Sequence, residues 1–391
     1  MTKANDSLPD LTNEEILRYS RHLILPGVGM RGQQRLKAAS VLLVGAGGLG
    51  SPVALYLAAA GVGHIGLVDF DTVACSNLQR QVIHDTTMLD KPKVESARKR
   101  MLALNPAIQV DVYREAFAAE NAARIAEPYR FIVDGTDNFP ARYLINDLCV
   151  LTGKTYIFGS IYRFDGQASV FDASRGPCYR CVFPDPPPPD AVPSCAEGGV
   201  LGVLPGTIGT IQATETLKLI LGIGTPLIGK LLVYDALDMA FEYIKIRKNP
   251  ACRICGEHPE ITGLNDLQAY CQPHENEKPD EDALDAAWII TPKELAARLK
   301  SGEKIRLIDV RQPDELAISR FAGAESIPLE NLAERLDDLK RDEKIVLICR
   351  MGKRSAQALR IMQDAGFHRA QHLAGGINAW AAEIDPSLPV Y

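Results

Sequence analysis

The chain has 391 residues, 43 Lys and Arg against 49 Asp and Glu, a formal charge of −6, and 46% hydrophobic and 24% charged residues. That length exceeds one small module and predicts two or three cores of ordinary globular composition. The mild acidity supplies no basic field for nucleic acid or an anionic membrane, so neither is expected as a partner.

The N-terminal run M-T-K-A-N-D-S-L-P-D lacks the apolar core of a signal peptide, and the apolar stretches are broken by Gly, Pro and His64 well short of a membrane span. A soluble cytoplasmic protein is expected. Thr12 and Glu15 have capping-box spacing, which predicts a short helix leading into an arm with Arg18, Arg21 and His22. Val41-Leu42-Leu43-Val44 then reads as a strand running into Gly45-Ala46-Gly47-Gly48-Leu49-Gly50, with Pro52 opening a helical pattern over 53–60. Strand-like runs ending in Asp69 and Asp134, separated by a helix over 93–104, extend the alternation and predict a parallel, doubly wound sheet.

The glycine run fits the G-x-G-x-x-G turn, in which backbone N–H groups at a helix N-terminus approach phosphates, and Asp69 sits where a ribose hydroxyl acceptor is expected. Taken alone, Gly45, Gly47 and Gly48 point to a nicotinamide dinucleotide dehydrogenase. The residues beyond the glycines point elsewhere. Ser76-Asn77-Leu78-Gln79-Arg80, Lys93 and Asp137-Asn138 bring two cations, carboxamides and a carboxylate near the strand ends, a set that hydride transfer does not need. A triphosphate does need it. A carboxylate attacking the α-phosphorus of ATP requires no base, only fixed positive charge and a metal for the leaving pyrophosphate. Arg80 and Lys93 suit the first role and Asp137 the second, although any one of them alone reads as a solvated surface charge.

From Gly176 the texture changes. Cys178-Tyr179-Arg180-Cys181 and Cys252-Arg253-Ile254-Cys255 are two C-x-x-C knuckles, able together to hold one zinc ion in a closed structural site, with a redox pair or buried thiols as the rival. Pro184 to Pro193 should be a surface loop, and Cys195 follows it among small residues, where a thiol could accept an acyl group or be inert. Residues 272–285 carry acids and prolines with almost no large apolar side chain, the composition of an interdomain linker. Expected boundaries are 1–271, 272–285 and 286–391.

In the last segment, Ile345-Val346-Leu347-Ile348 runs into Cys349-Arg350-Met351-Gly352-Lys353-Arg354-Ser355 and a helical pattern. Cys349 is thereby placed at the carboxyl end of a strand and above a helix N-terminus, with Arg350, Lys353 and Arg354 near enough to favour a thiolate or persulfide anion. The bland alternative is a buried strand-end cysteine.

Over residues 10–270 the motifs G-A-G-G-L-G-S-P, L-V-D-F-D-T-V, S-N-L-Q-R-Q, D-K-P-K and D-G-T-D-N, with the four cysteines, resemble the MoeB/ThiF branch of the ubiquitin-activating-enzyme-like adenylyltransferases. The loop at 349–354, D-V-R-Q-P-D-E at 309–315 and L-A-G-G-I-N-A-W at 373–380 resemble rhodaneses, and the whole is similar to fused MoeB–rhodanese proteins. The resemblance implies an α/β fold: a doubly wound, Rossmann-like ubiquitin-activating-enzyme-like domain with a structural zinc site, then a smaller α/β rhodanese domain. It also implies that Gly48, Asp69, Ser76, Asn77, Leu78, Gln79, Arg80, Lys93, Asp137 and Asn138 bind ATP and Mg2+. Arg21 would reach the phosphates of the other protomer in a homodimer, and Cys195 would act in acyl transfer from a mobile loop. The implied reaction adenylates the C-terminal Gly-Gly carboxylate of a small ubiquitin-like sulfur carrier similar to MoaD or ThiS. Sulfur from a Cys349 persulfide then gives a thiocarboxylate, with the donor open between a cysteine desulfurase and thiosulfate. Phosphatases of related architecture need five residues between Cys and Arg, whereas Cys349 to Arg354 leaves four, which favours sulfur transfer. A nicotinamide oxidoreductase fused to a sulfurtransferase is the alternative.

Overall fold

The computed structural model describes residues 8–187, 198–264 and 286–391. The chain divides into two compact units, Met1–Pro273 and His274–Tyr391. The expected linker and Cys195 lie outside the described residues, as does most of the expected proline-rich loop.

The first unit opens with the capping box anticipated from Thr12 and Glu15, which exchange hydrogen bonds at the start of the helix Asn13–Arg18. Its sheet has eight strands in the order β3-β2-β1-β4-β5-β6-β7-β8. These are β1 (Ser40–Val44), β2 (His64–Val68), β3 (Gln109–Tyr113), β4 (Phe131–Asp134), β5 (Thr155–Tyr162), β6 (Asp165–Phe171), β7 (Lys230–Asp235) and β8 (Ala240–Lys245). The first five are parallel, as expected from the strand–helix alternation. The last three pair antiparallel, which a purely parallel expectation did not include. The turns from β5 to β6 and from β7 to β8 are short, and short connections join only antiparallel neighbours.

β1 is the centre of this sheet. Val41 and Leu43 pack with the helices Gly50–Ala60 and Lys93–Leu104 on one face, while Leu42 and Val44 pack with the helix Phe139–Thr152 on the other. A strand covered on both faces has no polar side, which is why it reads as a continuous apolar run. The helix after β1 begins at Gly50, earlier than the pattern from Val53 suggested, because Leu49 is already helical at φ −67° and ψ −43°. Its start is tight: a Cβ on Gly50 would lie 2.1 Å from the Gly45 carbonyl oxygen. The third glycine of the motif therefore serves close packing of helix against strand.

The second unit holds a five-stranded parallel sheet in the order β11-β10-β12-β13-β9. Its strands are β9 (Ile289–Ile290), β10 (Arg306–Asp309), β11 (Glu325–Ser326), β12 (Ile345–Ile348) and β13 (Ala370–Leu373). Ile345, Leu347 and Cys349 share a face with Ala358, Leu359 and Met362 of the helix Lys353–Asp364. Val346 and Ile348 face Leu295, Phe321 and Ile377 on the other side. This alternation delivers Cys349 to the helix face at the strand's end.

Gly50→Ala should cost the first unit about 2–3 kcal/mol, because neighbouring backbone resists the extra methyl. Gly206→Ala, in the helix Leu204–Leu221 with open space around its Cβ, should be neutral or gain up to about 1 kcal/mol. Denaturant midpoints of the two variants check this contrast.

Candidate functional site

Parallel order reverses between β1 and β4, and the crevice outside their carboxyl ends is where such sheets bind ligands. The glycine turn follows β1, and Gly135-Thr136-Asp137-Asn138 follows β4. The second turn is held by a buried carboxylate: Asp134 accepts from the Thr136 N–H (2.8 Å), the Thr136 hydroxyl (2.7 Å) and the Tyr156 hydroxyl (2.6 Å). Burial pushes the Asp134 carboxyl up, against the charge of Arg142 and these hydrogen bonds. Asp137 is thereby presented exposed at the rim, and the Asn138 side chain caps the next helix by accepting from the Ala141 N–H at 3.0 Å.

Asp69 sits beside the glycine turn and accepts from the Ala46 N–H at 2.8 Å and the Asp71 N–H at 2.9 Å. Burial raises its carboxyl above its ordinary value, and the charge of Lys93 opposes the rise. The Lys93 ammonium lies 2.8 Å from Asp71, on a side chain only 7% exposed. Asp71 is not among the residues expected at the site from sequence; its place within D-F-D is the signal that could have found it. Arg80 lies against the turn, with its Cγ 3.6 Å from the Cβ position of Gly48, and it donates to the Ser76 carbonyl at 3.2 Å. Asn77 accepts from the Ala74 N–H at 3.1 Å, and Gly202 packs against Gln79. Ser76 is exposed and Leu78 half-buried.

The structure thus gathers the glycines, Asp69, Arg80, Lys93 and Asp137 around one end of the sheet. Arg21 is different: it is exposed on the helix Ser20–Leu23 and makes no hydrogen bond or ion pair with this group among the described residues.

Two buried side chains support the site without a motif to betray them. His84 bridges the Ala46 carbonyl (3.0 Å) and the Ser96 hydroxyl (2.9 Å). Gln212 donates to the Asp134 carbonyl at 2.7 Å.

The four knuckle cysteines converge, with all four sulfurs within 4.8 Å of one another. Cys178–Cys181, Cys178–Cys252 and Cys181–Cys255 are separated by 3.8, 3.6 and 3.4 Å. A tetrahedral ion with bonds of about 2.3 Å has sulfur edges of about 3.8 Å, so the cluster fits zinc. Between the first two cysteines Arg180 forms a buried two-pronged pair with Asp147 at 2.8 Å, tying the knuckle to the helix Phe139–Thr152.

In the second unit Cys349 is buried at the end of β12. Its sulfur accepts from the Gly352 N–H at 3.1 Å and lies 3.4 Å from the Ser355 hydroxyl. The three cations of the loop are engaged more than the sequence suggested. Arg354 makes a two-pronged pair with Glu315, both contacts at 2.6 Å, and the Arg350 guanidinium lies over the Tyr391 ring at 4.8 Å. Arg311 is buried against Asp309 and donates to the Tyr391 hydroxyl at 2.7 Å. Tyr391 and Glu315 are neighbours of the loop that sequence separation hides.

Comparison with known proteins assigns a family to each unit. The ThiF family model matches residues 19–254 and the rhodanese-like domain model matches 291–383. The chain belongs to the ThiF family, with a rhodanese-like domain after it. It is 51% identical to the probable adenylyltransferase/sulfurtransferase MoeZ of Mycobacterium tuberculosis, over 97% of this chain and 96% of that protein. It is 42% identical to the adenylyltransferase and sulfurtransferase MOCS3 of Drosophila yakuba, over 97% of this chain and 86% of that protein. Among solved structures, E. coli MccB with ATP shares the fold at a TM-score of 0.54 and 22% identity, over 61% of this chain and 74% of that one. These matches do not favour the nicotinamide oxidoreductase alternative. No helix among the described residues is long and apolar enough to cross a membrane.

Acid should destabilise the second unit through His372, which is fully buried on β13 with its imidazole pushed down by burial to about 4. An unfolded chain protonates this group near its ordinary value of about 6.5. The unfolded state therefore takes up the proton first, and stability falls as pH drops from about 6.5 towards 4, by about 3 kcal/mol in all. In His372→Gln, unfolding of this unit followed by denaturant at successive pH values should show a shallower acid slope.

Proposed function

We propose that the first unit adenylates the C-terminal glycine carboxylate of a small ubiquitin-like sulfur-carrier protein and that the second supplies the sulfur. The observation that supports this most is the single chain joining a glycine-lined switch point, with cations and Asp137 at its rim, to Cys349 on a rhodanese-like loop.

In this reading the carrier carboxylate attacks the α-phosphorus, the bond to the pyrophosphate oxygen breaks, and an acyl-adenylate remains. Arg80 and Lys93 offset the charge of the phosphates, Asp69 takes the ribose hydroxyl, and Gly45, Gly47 and Gly48 let the backbone approach. Asp137 would hold Mg2+, which supplies charge neutralisation for the departing pyrophosphate. Ser76, Asn77, Leu78 and Gln79 line the same rim, and Asn138 orders the turn that carries Asp137. Arg21 reaches a neighbouring protomer's phosphates in a homodimer. Zinc in the four-cysteine cluster is structural, closing the excursion between the knuckles.

Sulfur transfer begins when the outer sulfur of a Cys349 persulfide attacks the acyl carbon and AMP leaves. A thiol then attacks the Cys349 sulfur, the S–S bond to the acyl sulfur breaks and the carrier departs as a thiocarboxylate, and a second thiol opens the mixed disulfide left on Cys349 to restore the free thiol. Cys195 is proposed as an acyl acceptor ahead of this transfer: where its thiol displaces AMP from the acyl-adenylate, the Cys349 persulfide attacks the resulting thioester and the Cys195 thiolate leaves in place of AMP. Thiosulfate or a cysteine desulfurase would reload Cys349, and the cytoplasm is the matching compartment.

The test is to incubate the protein with ATP, magnesium, a sulfur donor and a Gly-Gly carrier and weigh the carrier, which should exchange one oxygen for sulfur. Cys349→Ala should keep carrier-dependent pyrophosphate exchange and form no thiocarboxylate, whereas Asp137→Ala should lose the exchange by at least about a hundredfold and keep thiosulfate-to-cyanide transfer. Loss of exchange in Cys349→Ala would contradict the division of labour. Metal analysis should find one zinc per chain, reduced in Cys178→Ser.

A further inference from the structure

Behind Cys349 lies a polar side chain that the adenylation and sulfur-transfer chemistry above does not use. His372 is fully buried on β13, directly opposite Leu347 of β12, so it occupies the same face of the sheet as Cys349, two residues short of its level on the neighbouring strand. Apolar side chains fill the rest of that face, among them Leu347, Leu359 and Met362. An imidazole there costs stability that a leucine would not. Its Nδ1 lies 3.4 Å from the Ser355 hydroxyl, and its Nε2 has no hydrogen-bond partner among the described residues. An N–H at Nε2 would thus point at nothing, so the proton belongs on Nδ1, where it donates to the Ser355 oxygen.

Ser355 is also fully buried, in the first turn of the helix Lys353–Asp364. Its oxygen stands 3.4 Å from Cys349 Sγ and 2.9 Å from the Gly352 carbonyl oxygen. With its oxygen already accepting from His372, Ser355 has one proton to give and two acceptors to choose from. A neutral thiol leaves the carbonyl as the better acceptor, whereas an anionic sulfur attracts the proton more strongly, because hydrogen bonds to charged groups are the stronger ones. Arg354 directs both of its prongs to Glu315.

We propose that His372 is a positioning residue for sulfur transfer: through Nδ1 it fixes Ser355 so that the hydroxyl turns from the Gly352 carbonyl to the Cys349 sulfur when that sulfur is anionic. The inference rests on the sulfur-transfer reading of Cys349 and adds to it a neutral, two-link line from β13 to the nucleophile. Neither His372 nor Ser355 changes charge, so the buried imidazole acts as an oriented donor and not as a base.

The test uses the full chain with thiosulfate and cyanide as probes, together with iodoacetamide alkylation of Cys349 at neutral pH, and thermal unfolding to confirm that each variant is folded. His372→Leu and Ser355→Ala should each lower kcat and the alkylation rate about tenfold and leave KM for thiosulfate within about twofold. His372→Asn, whose amide can donate from nearly the position of Nδ1, should recover most of the loss. The double variant His372→Leu/Ser355→Ala should be no slower than Ser355→Ala alone, since His372 acts through that hydroxyl. Wild-type rates in His372→Leu, or losses that multiply in the double variant, would overturn the proposal. So would a folded His372→Asn as slow as His372→Leu. If His372→Leu does not fold, His372→Asn with and without Ser355→Ala decides the question in the same way. A wild-type chain that leaves no added sulfur on Cys349 overturns the sulfur-transfer reading instead, and the alkylation rates then still decide whether the line positions the thiol.

Discussion

The first unit depends on two turns of backbone lying directly against each other. The Gly135 N–H donates to the Val44 carbonyl, and a Cβ on Gly135 would stand 2.4 Å from the Gly45 oxygen. Gly45 itself needs a φ of +95°, where a side chain is rarely tolerated. Without this contact the ends of β1 and β4 could not share one crevice, and the helix start at Gly50 and the acidic rim at Asp137 would face different places. Buried polar groups secure the arrangement from below: Asp134 ties down one turn, His84 the other, and Gln212 reaches between β4 and β5. Each satisfies backbone or side-chain groups that would be expensive to bury unpaired.

Both candidate sites hold cations in place with carboxylates that belong to the protein. Asp71 anchors Lys93, and Glu315 anchors Arg354. A tethered cation is a weaker isolated charge but a better-defined one, since it loses less ordering entropy when an anion arrives. This arrangement changes how the rhodanese-like loop works. Three cations in seven residues suggest a nucleophile bathed in positive charge, whereas Cys349 Sγ accepts from the Gly352 backbone N–H and has the Ser355 hydroxyl 3.4 Å away.

How far the fold can be read from sequence follows from the range of each interaction. β1, its glycine turn and the helix Lys93–Leu104 are local patterns of apolar period and turn chemistry, and they fold where the residues place them. The two knuckles are legible because the cysteine spacing itself states the geometry, although only the fold brings Cys178 within 3.6 Å of Cys252. The antiparallel turn of the sheet after β5 is not legible, since apolar strands look alike in either direction. The pairing of Lys93 with Asp71, of Arg354 with Glu315 and of Arg350 with Tyr391 is hidden for another reason: even where a motif such as D-F-D marks a residue, charged and aromatic side chains choose their partners across the fold.

The two units use one device for different anions. In each, a strand with a fully buried apolar run ends in a turn that opens onto a helix N-terminus, at Gly50 after β1 and at Lys353 after β12. Backbone N–H groups there favour negative charge in both cases. The difference lies in what the turn carries. The first turn is stripped to glycines, which have no side chain to keep a bulky polyanion away from the backbone, so it suits an anion that arrives from solution. The second turn begins with Cys349 and closes over four residues, so the anion is the protein's own sulfur, already in the cradle and buried. An incoming phosphate brings its charge and needs cations at the rim, as Arg80 and Lys93 provide. A resident sulfur that alternates between neutral and anionic forms is better served by donors that can turn towards it and away again, which is the property that Ser355, backed by His372, brings to the loop.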